Sequence, residues 1–254
     1  MNLSVSEIAW AADQEEAAAA CLNEHGVKAV ELAPARSFGD PLVAREGSVR
    51  ERAEQLRALG LDPRSFQALL FGQEGLFLFD GVEARRRMLE VLKACGRVAG
   101  WAGVGPMVFG SPKNRLRGEM SLNEADRIAV GFFREVGDYC AEQGSVLVME
   151  ANPEDYGADY CTRLDQAAEL VAKVDSPGFR LHVDAGGLIL SGEDFVPVLR
   201  EAFELVAHVH ASQAMLNSFA DPSHVHGLLG AELRTLGYQG DVAIEMRAQE
   251  NGLD

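Results

Sequence analysis

The sequence lacks a long apolar run and a basic N-terminal segment. Its first ten residues, 1–10, contain no lysine or arginine. No stretch comes near the roughly 20 consecutive apolar residues that a membrane-spanning helix requires. A signal peptide needs a basic segment followed by an apolar core. We therefore expect no membrane anchor, no membrane partner and a cytoplasmic location.

Basic residues are scarce. The chain has 23 Lys and Arg against 39 Asp and Glu, and its formal net charge is −16. Such a charge repels a polyanion unless a local basic patch overrides it. The composition therefore argues against nucleic acid as a partner.

Cysteines are few, and their spacing is unlike that of a metal-binding or redox motif. Cys21, Cys95, Cys140 and Cys161 lie far apart, without a C-x-x-C pair. Three of them fall on predicted helices among apolar neighbours, where reduced cysteines of a protein core are found. We expect free, buried thiols without a disulfide or a catalytic role.

Short apolar runs alternate with amphipathic stretches along the whole chain, which is typical of parallel β/α units. The clearest helix starts at Ser121, which forms a capping box with Glu124, and it ends at Gly144. Eight predicted strands lie at Leu3 to Ala9, Ala29 to Ala33, Phe66 to Phe71, Gly105 to Phe109, Val146 to Met149, Phe179 to Val183, Val206 to Val209 and Val242 to Ile244.

These elements predict the α/β class and a single (β/α)8 TIM-type barrel domain over residues 1–254. A chain of 254 residues, 47% of them hydrophobic, is long enough for one large core of this kind. A doubly wound open sheet is the alternative. It would usually show a G-x-G-x-x-G turn after its first strand, where this chain has Glu7-Ile8-Ala9-Trp10.

Four of the predicted strands are followed directly by a residue that can bind metal. They are Glu150, Asp184, His210 and Glu245, and successive ones are separated by about one strand, helix and strand. Active sites of such barrels lie at the C-terminal ends of the strands, so the four side chains are expected to converge. Three buried carboxylates beside an imidazole would repel one another unless a divalent cation neutralised them.

We therefore predict one divalent metal ion. Three oxygen donors and one nitrogen suit Mn²⁺ or Mg²⁺ best, while Co²⁺, Fe²⁺ and Zn²⁺ stay open because selectivity is rarely absolute. Alternation along the strands places His182 and His208 on the same face as the ligands, one layer lower. There they would either orient the ligands from a second shell or fill the barrel interior as neutral residues.

Basic residues near this site stand out in such an acidic chain. Lys113 and Arg115 follow the fourth predicted strand, and Arg247 follows Glu245 by two positions. If they turn inward, they would favour a substrate with a phosphate or carboxylate group. Solvated loop positions are the alternative interpretation.

These residues resemble those of the xylose isomerase-like TIM barrels, a superfamily that includes sugar isomerases, ketose 3-epimerases and inosose dehydratases. The resemblance covers nearly the whole chain. The segments that carry it are 6–10, Phe109-Gly110-Ser111-Pro112-Lys113-Asn114-Arg115, Glu150-Ala151-Asn152-Pro153, His182-Val183-Asp184 and Ile244-Glu245-Met246-Arg247. It implies that Glu150 and Glu245 bind metal and also move protons, and that Asp184 and His210 are ligands. We expect Asn152, Lys113, Arg115 and Arg247 to contact the substrate.

The chain departs from the ketose epimerases at two places. The ketose epimerases of this superfamily carry a D-x-x-H motif after the sixth strand, where this chain has Asp184-Ala185-Gly186-Gly187. They also have an arginine shortly after the histidine of strand seven, whereas residues 211–218 of this chain contain no basic residue. The resemblance therefore extends to the metal ligands and not to the residues that contact the sugar.

The chemistry that this resemblance implies is proton abstraction next to a carbonyl through a metal-stabilised enediolate. The leading interpretation is a metal-dependent isomerase or epimerase of a sugar or sugar derivative. The alternatives are a dehydratase of an inosose or a dehydroshikimate-like compound, a metal-dependent endonuclease, and a binding protein that kept the metal. The substrate is expected to be a small sugar-like molecule, and the basic residues near the site favour an anionic one.

Little sequence remains after the eighth predicted strand. Residues 246–254 are too short and too polar for a covering helix. We therefore expect the eighth helix to be missing or truncated. The apolar outer faces of strands eight and one would then be covered in a homo-oligomer, with a homodimer as the commonest closed form.

Overall fold

Eight parallel strands form the centre of the computed structural model, which describes residues 1–248. The strands are β1 (Asn2–Ser6), β2 (Ala29–Leu32), β3 (Asp62–Phe66), β4 (Pro106–Phe109), β5 (Val146–Glu150), β6 (Phe179–Asp184), β7 (Val206–Ser212) and β8 (Asp241–Glu245). Each strand pairs with the next, and β8 pairs with β1, so the sheet closes into a barrel. The structure confirms the predicted β/α barrel.

Helices fill the gaps between the strands. They are α1 (Glu15–Glu24), α2 (Pro34–Phe38), α3 (Glu46–Ala58), α4 (Gly81–Ala102), α5 (Leu122–Glu142), α6 (Leu164–Val174), α7 (Ala185–Ser191), α8 (Phe195–Glu201) and α9 (His224–Thr235). The start of α5 is as predicted, because the Ser121 side chain accepts a hydrogen bond from the Glu124 amide. Gly144, with φ +76°, follows its last turn.

The third strand lies earlier than the sequence predicts. It runs over Asp62–Phe66 and not over Phe66 to Phe71. The sequence pattern misplaces it because Pro63 and Arg64 interrupt the apolar run that a buried strand would show. The apolar residues that follow form a loop instead: Leu69 is buried in the core, and Ala68 has φ +52°, which a strand does not allow. An apolar run reports burial rather than conformation.

Two other strands differ at their C-terminal ends. β1 stops at Ser6, because Glu7–Ala9 forms a short 3-10 turn. β7 extends to Ser212, three residues past the predicted end at Val209. Its second half carries polar residues on the inner face, so its hydrophobic pattern ends before the strand does.

The interior of the barrel contains polar side chains from several strands. Ser6 and Ser65 are fully buried, and they accept from Gln67 and donate to Glu31, respectively. These hydrogen bonds join β1, β2 and β3 on the inner side of the sheet. The large apolar side chains of the strands, such as Phe179, pack instead with the helices in the core.

The cysteines are free among the described residues. Cys95, Cys140 and Cys161 are buried, as expected for core thiols. Cys21 is exposed, so its predicted burial is wrong: it lies on the solvent side of α1. No helix in the described part of the chain is long and apolar enough to cross a membrane.

The C-terminal prediction reaches beyond the described residues. The expected absence of an eighth helix concerns 246–254, of which 249–254 lie outside them. A groove of about 260 Å³ beside β1, β8 and α9 is lined by Leu3, Val242, Leu229 and Leu233, and Leu3 is 47% exposed. The homodimer stays a prediction.

Glycines of α5 provide a test of how tightly this helix packs on the barrel. A Cβ at Gly137 would lie 2.9 Å from the Phe179 Cβ and 2.7 Å from the Ser176 Oγ, so Gly137→Ala should lower the free energy of unfolding by about 1–3 kcal/mol. Gly131→Ala, on the same helix with open space around it, should raise it by about 0.5–1 kcal/mol. Urea unfolding measures both, and a shift of the same sign in the two variants would contradict this packing.

Candidate metal centre

The pairing of the strands brings the four predicted ligands to one end of the barrel. Asp184 on β6 pairs with His210 on β7, and Glu245 on β8 pairs with Ser212, two residues after His210. Glu150 is the last residue of β5. All four line one cavity of about 480 Å³. It lies at the C-terminal mouth, where barrels of this kind hold their active sites.

Asp184, His210 and Glu245 form the closest group. One donor atom of each lies within 4.8 Å of the others. His210 Nδ1 is 3.1 Å from Glu245 Oε2, but the two atoms are not aligned for a hydrogen bond. Asp184 is anchored by the Ser212 hydroxyl and by the Gly187 amide, which donates over 2.7 Å. Two carboxylates and an imidazole nitrogen around one point are donors that suit a divalent cation.

Glu150 lies outside this close group and is held from behind. Its Oε1 accepts a hydrogen bond of 2.5 Å from Asn152 Nδ2. Asn152 Oδ1 in turn accepts one of 2.6 Å from Arg115, which also donates to the backbone oxygen of Glu150 over 2.8 Å. The three residues form a chain of hydrogen bonds that orients the Glu150 carboxylate.

Gly110 leaves space for that carboxylate. A Cβ at this position would lie 2.6 Å from Glu150 Oε2 and 3.5 Å from Asn152 Oδ1. Any other residue here would displace the carboxylate. The glycine that follows β4 therefore belongs to the site, although it contributes no donor atom.

The pKa values of these groups are shifted in the directions expected of buried carboxylates that lack positive charge nearby. Burial, together with the charges of Asp184 and Glu245, raises the pKa of Glu150 to about 8. Burial and Glu245 also raise the pKa of Asp184. Burial alone would lower the pKa of His210, but Glu31 and Glu245 outweigh it and hold the pKa well above its usual value. Bound protons or a bound cation can supply the charge.

Glu31 is a residue of the site's surroundings that the sequence analysis missed. It lies on β2, and its Oε2 is 3.1 Å from His210 Nε2 and 2.9 Å from His208 Nε2. Burial would raise the pKa of Glu31, but the two histidines hold it well below its usual range. A carboxylate inside the apolar run Ala29–Leu32 was a visible signal, because an unpaired charge is costly in a barrel interior.

The two histidines predicted for a second shell have different surroundings. His208 Nε2 and His210 Nε2 both lie within hydrogen-bond distance of Glu31 Oε2, and the two rings pack edge-on with centroids 5.2 Å apart. The ring nitrogens of His182 have no hydrogen-bond partner in the described structure, and its ring packs edge-on against that of His210, with centroids 4.2 Å apart. Neither hydrogen-bonds directly to a predicted metal ligand.

The basic residues predicted to contact substrate do not all lie in the cavity. Lys113 and Arg247 line it, and so does Asn152. Arg115 is fully buried behind the cavity wall and does not line the cavity, so the structure does not place it where it would contact a substrate. Its guanidinium satisfies the backbone and side chain at the end of β5 instead. Neither the charge pattern nor the spacing of the loop could distinguish Lys113, which lines the cavity, from Arg115, which is buried behind it.

Strained loop residues form part of the cavity wall. Ala68, Ser111, Met215 and Leu216 all line it with positive φ, a conformation that costs about 1–3 kcal/mol for a residue with a side chain. The Met215 amide donates to the Tyr156 hydroxyl over 3.2 Å, which connects the loops after β5 and β7. Such strain is concentrated at functional sites. Tyr156, Gln67 and Met215 lacked any sequence signal.

Comparisons with known proteins identify the fold. A family model described as a xylose isomerase-like TIM barrel matches residues 19–253. A D-psicose 3-epimerase from Clostridium cellulolyticum H10, in a structure with D-tagatose, is similar with a TM-score of 0.79 and 13% identity, over 100% of this chain and 87% of that one. A 3-keto-D-glucoside 4-epimerase from E. coli is similar with a TM-score of 0.75 and 18% identity, over 98% of this chain and 93% of that one. A probable 3-DHS dehydratase from Bacillus anthracis is similar with a TM-score of 0.68 and 15% identity, over 99% of this chain and 94% of that one. No curated protein matches the sequence.

The space at Gly110 gives a test of the site that leaves the ligands unchanged. Gly110→Ala should displace the Glu150 carboxylate, the end of a flexible side chain, and weaken Mn²⁺ binding by about tenfold or more while the fold persists. Titration calorimetry measures the affinity. Gly105→Ala, before the same strand with nothing within 4 Å of its Cβ, is the control and should bind like the wild type. Unchanged binding by both variants would remove Gly110 from the site.

Proposed function

Because this chain belongs to the xylose isomerase-like TIM barrel family, we propose that it is a divalent-metal-dependent isomerase or epimerase of a sugar or sugar derivative. The observation that carries the proposal is the convergence of Asp184, His210 and Glu245 next to Glu150 in one cavity. Two proteins with the same fold that are described as sugar epimerases add support.

The side chains fit a divalent cation by charge and by donor type. When all three are ionised, Glu150, Asp184 and Glu245 bring three negative charges into a site where Asp184 is only 7% exposed. Their oxygens together with His210 Nδ1 suit Mn²⁺ or Mg²⁺, while Co²⁺, Fe²⁺ and Zn²⁺ stay open. When bound, such an ion supplies positive charge beside a substrate carbonyl and thereby acidifies the adjacent C–H bond.

Glu150 and Glu245 are the groups that we assign to proton transfer. They extend from β5 and β8, with β6 and β7 between them, so they approach a substrate in the cavity from different sides. If one carboxylate removes the proton and the other group, in its acid form, donates a proton to the opposite face, the carbon is inverted. If the proton returns to the neighbouring carbon, the substrate is isomerised. Asn152 and Arg115 keep Glu150 oriented for either outcome.

A dehydratase is the second candidate. The probable dehydratase from Bacillus anthracis shares the fold over 94% of its length. In this chain Gly187 lies next to the Asp184 carboxylate and the Ala151 carbonyl oxygen, at 3.4 and 3.3 Å from the position of a Cβ, so no side chain enters the site from there. Dehydration starts with the same proton removal and ends with loss of a β-hydroxyl. Only this reaction gives a conjugated product with new ultraviolet absorbance.

Isotope exchange tests the reaction and the two carboxylates together. With Mn²⁺ in D₂O, a panel of ketoses, sugar phosphates and cyclitols should include a compound that takes up deuterium next to its carbonyl. Glu245→Gln and Glu150→Gln should lower turnover more than metal affinity, because three ligands remain while a proton carrier is lost. Mass spectrometry and calorimetry measure the two effects. Full turnover in both variants would refute the two-carboxylate mechanism, and thermal shifts without any exchange would favour a binding protein.

We also propose that the substrate is anionic, because Lys113 and Arg247 line the cavity of an acidic chain. The variant Lys113→Glu with Arg247→Glu should raise KM by about tenfold or more, a loss near 1.4 kcal/mol. Steady-state kinetics on the substrate found in the panel measures it. Arg127→Glu makes the same kind of change on the exposed side of α5 and should leave KM unaltered. An unchanged KM in the double variant would point to a neutral substrate.

A further inference from the structure

A buried carboxylate lies beneath the metal centre and outside the cavity. Glu31 is fully buried and is not among the residues that line the cavity. Its Oε2 lies 2.7 Å from Ser65 Oγ, 2.9 Å from His208 Nε2 and 3.1 Å from His210 Nε2. Three donors therefore converge on one oxygen. Glu31 cannot touch a substrate in the cavity, so any effect on the reaction has to pass through these neighbours.

The ring of His210 lies between this carboxylate and the metal centre. On one edge, its Nε2 is 3.0 Å from Glu31 Oε1. On the other, its Nδ1 is 3.1 Å from Glu245 Oε2. The ring is 1% exposed and packs edge-on against His182. Its two nitrogens therefore face two different carboxylates, and the surrounding rings oppose a flip that would exchange them.

The chemistry of the imidazole makes this arrangement directional. A neutral imidazole has one N–H and one lone pair, and only the lone pair can bind a metal ion. An ionised carboxylate accepts hydrogen bonds and cannot donate them. Nδ1 is not aligned for a hydrogen bond with Glu245, whereas Nε2 lies 3.1 Å from Glu31 Oε2 and can donate to it. In a neutral His210 the proton therefore belongs on Nε2, and Nδ1 keeps its lone pair towards the cavity.

We propose that Glu31 is a positioning residue that fixes the proton of His210 on Nε2 and thereby makes Nδ1 a metal ligand. The inference rests on the proposed metal-dependent function, since it assigns Glu31 a role only through that metal. It also explains why a carboxylate sits in the barrel interior, where a charge without such partners would be costly. The hydrogen bond from His208 to the same oxygen supports the orientation of Glu31.

Glu31→Gln is the informative substitution because it preserves shape and changes donor character. The Gln amide can donate to Nε2, which would allow the proton to move to Nδ1 and block the lone pair. We expect a loss of Mn²⁺ affinity of about 10–100-fold, the range found when an outer partner of a ligating histidine is removed. Ser65→Ala removes a different partner of Glu31 and leaves the carboxylate, so it should bind nearly as tightly as the wild type.

Glu7→Gln is the matched control for the loss of a buried carboxylate. Glu7 is 2% exposed and accepts hydrogen bonds from the Ala33 amide and the Ser37 hydroxyl, but it does not line the cavity. Calorimetric Mn²⁺ titrations of the wild type and the three variants, with circular dichroism to establish folding, give the comparison. The loss of affinity should be confined to Glu31→Gln.

A measurement on the unchanged protein does not depend on any variant. In the Zn²⁺-loaded wild type, ¹⁵N spectra of the histidine rings should show His210 protonated at Nε2 and not at Nδ1. A lone pair on Nε2 would overturn the proposal, and so would wild-type affinity in a folded Glu31→Gln variant or an equal loss in Glu7→Gln. Failure of the wild type to bind Mn²⁺ or Zn²⁺ would instead refute the proposed function on which the inference rests.

Discussion

The concentration of negative charge at the mouth of the barrel is the constraint on which the rest of the site depends. Glu150, Asp184 and Glu245 share one cavity, and burial raises the pKa of the first two. Carboxylates do not approach one another in a desolvated site unless positive charge accompanies them. The fold can therefore present these three groups together only because a histidine, protons or a cation can offset them.

Two supports of opposite charge lie behind the cavity wall. On the β5 side, the Arg115 guanidinium holds Asn152, which holds the Glu150 carboxylate. On the β7 side, the Glu31 carboxylate accepts from His210. Each support belongs to a different strand or loop from the ligand that it orients, so the ligands are fixed by the barrel as a whole. Preorganisation of this kind reduces the rearrangement needed when a metal or substrate binds.

The sequence was sufficient to predict the barrel and the four candidate ligands, because both follow from periodicity. A polar residue at the end of each of several apolar runs has to emerge at the same end of parallel strands. Contacts between distant segments were beyond such reasoning. Arg115 was assigned to the substrate, although it turns behind the wall, and Glu31 was missed, although its position in an apolar strand was visible. The position of a residue along a strand predicts the face on which its side chain lies, but not which side chain of another strand it contacts inside the barrel. The third strand was misplaced for a related reason, since loop residues after Phe66 are as apolar as a strand.

In the proposed function, metal binding and substrate recognition fall to different parts of this fold. The candidate ligands are on strands, held by ladder hydrogen bonds and by buried partners. Other parts of the cavity wall consist of loop residues such as Ala68, Ser111 and Met215, with backbones in strained conformations. The loop that carries Met215 is joined to its neighbours at the mouth by the hydrogen bond from the Met215 amide to the Tyr156 hydroxyl and by one from the Arg247 amide to the Leu216 carbonyl oxygen. Loops tolerate substitution better than strands do. On that proposal, a change of substrate would require changes in the loops after β3, β4 and β7, while the charge balance that gathers the carboxylates is kept.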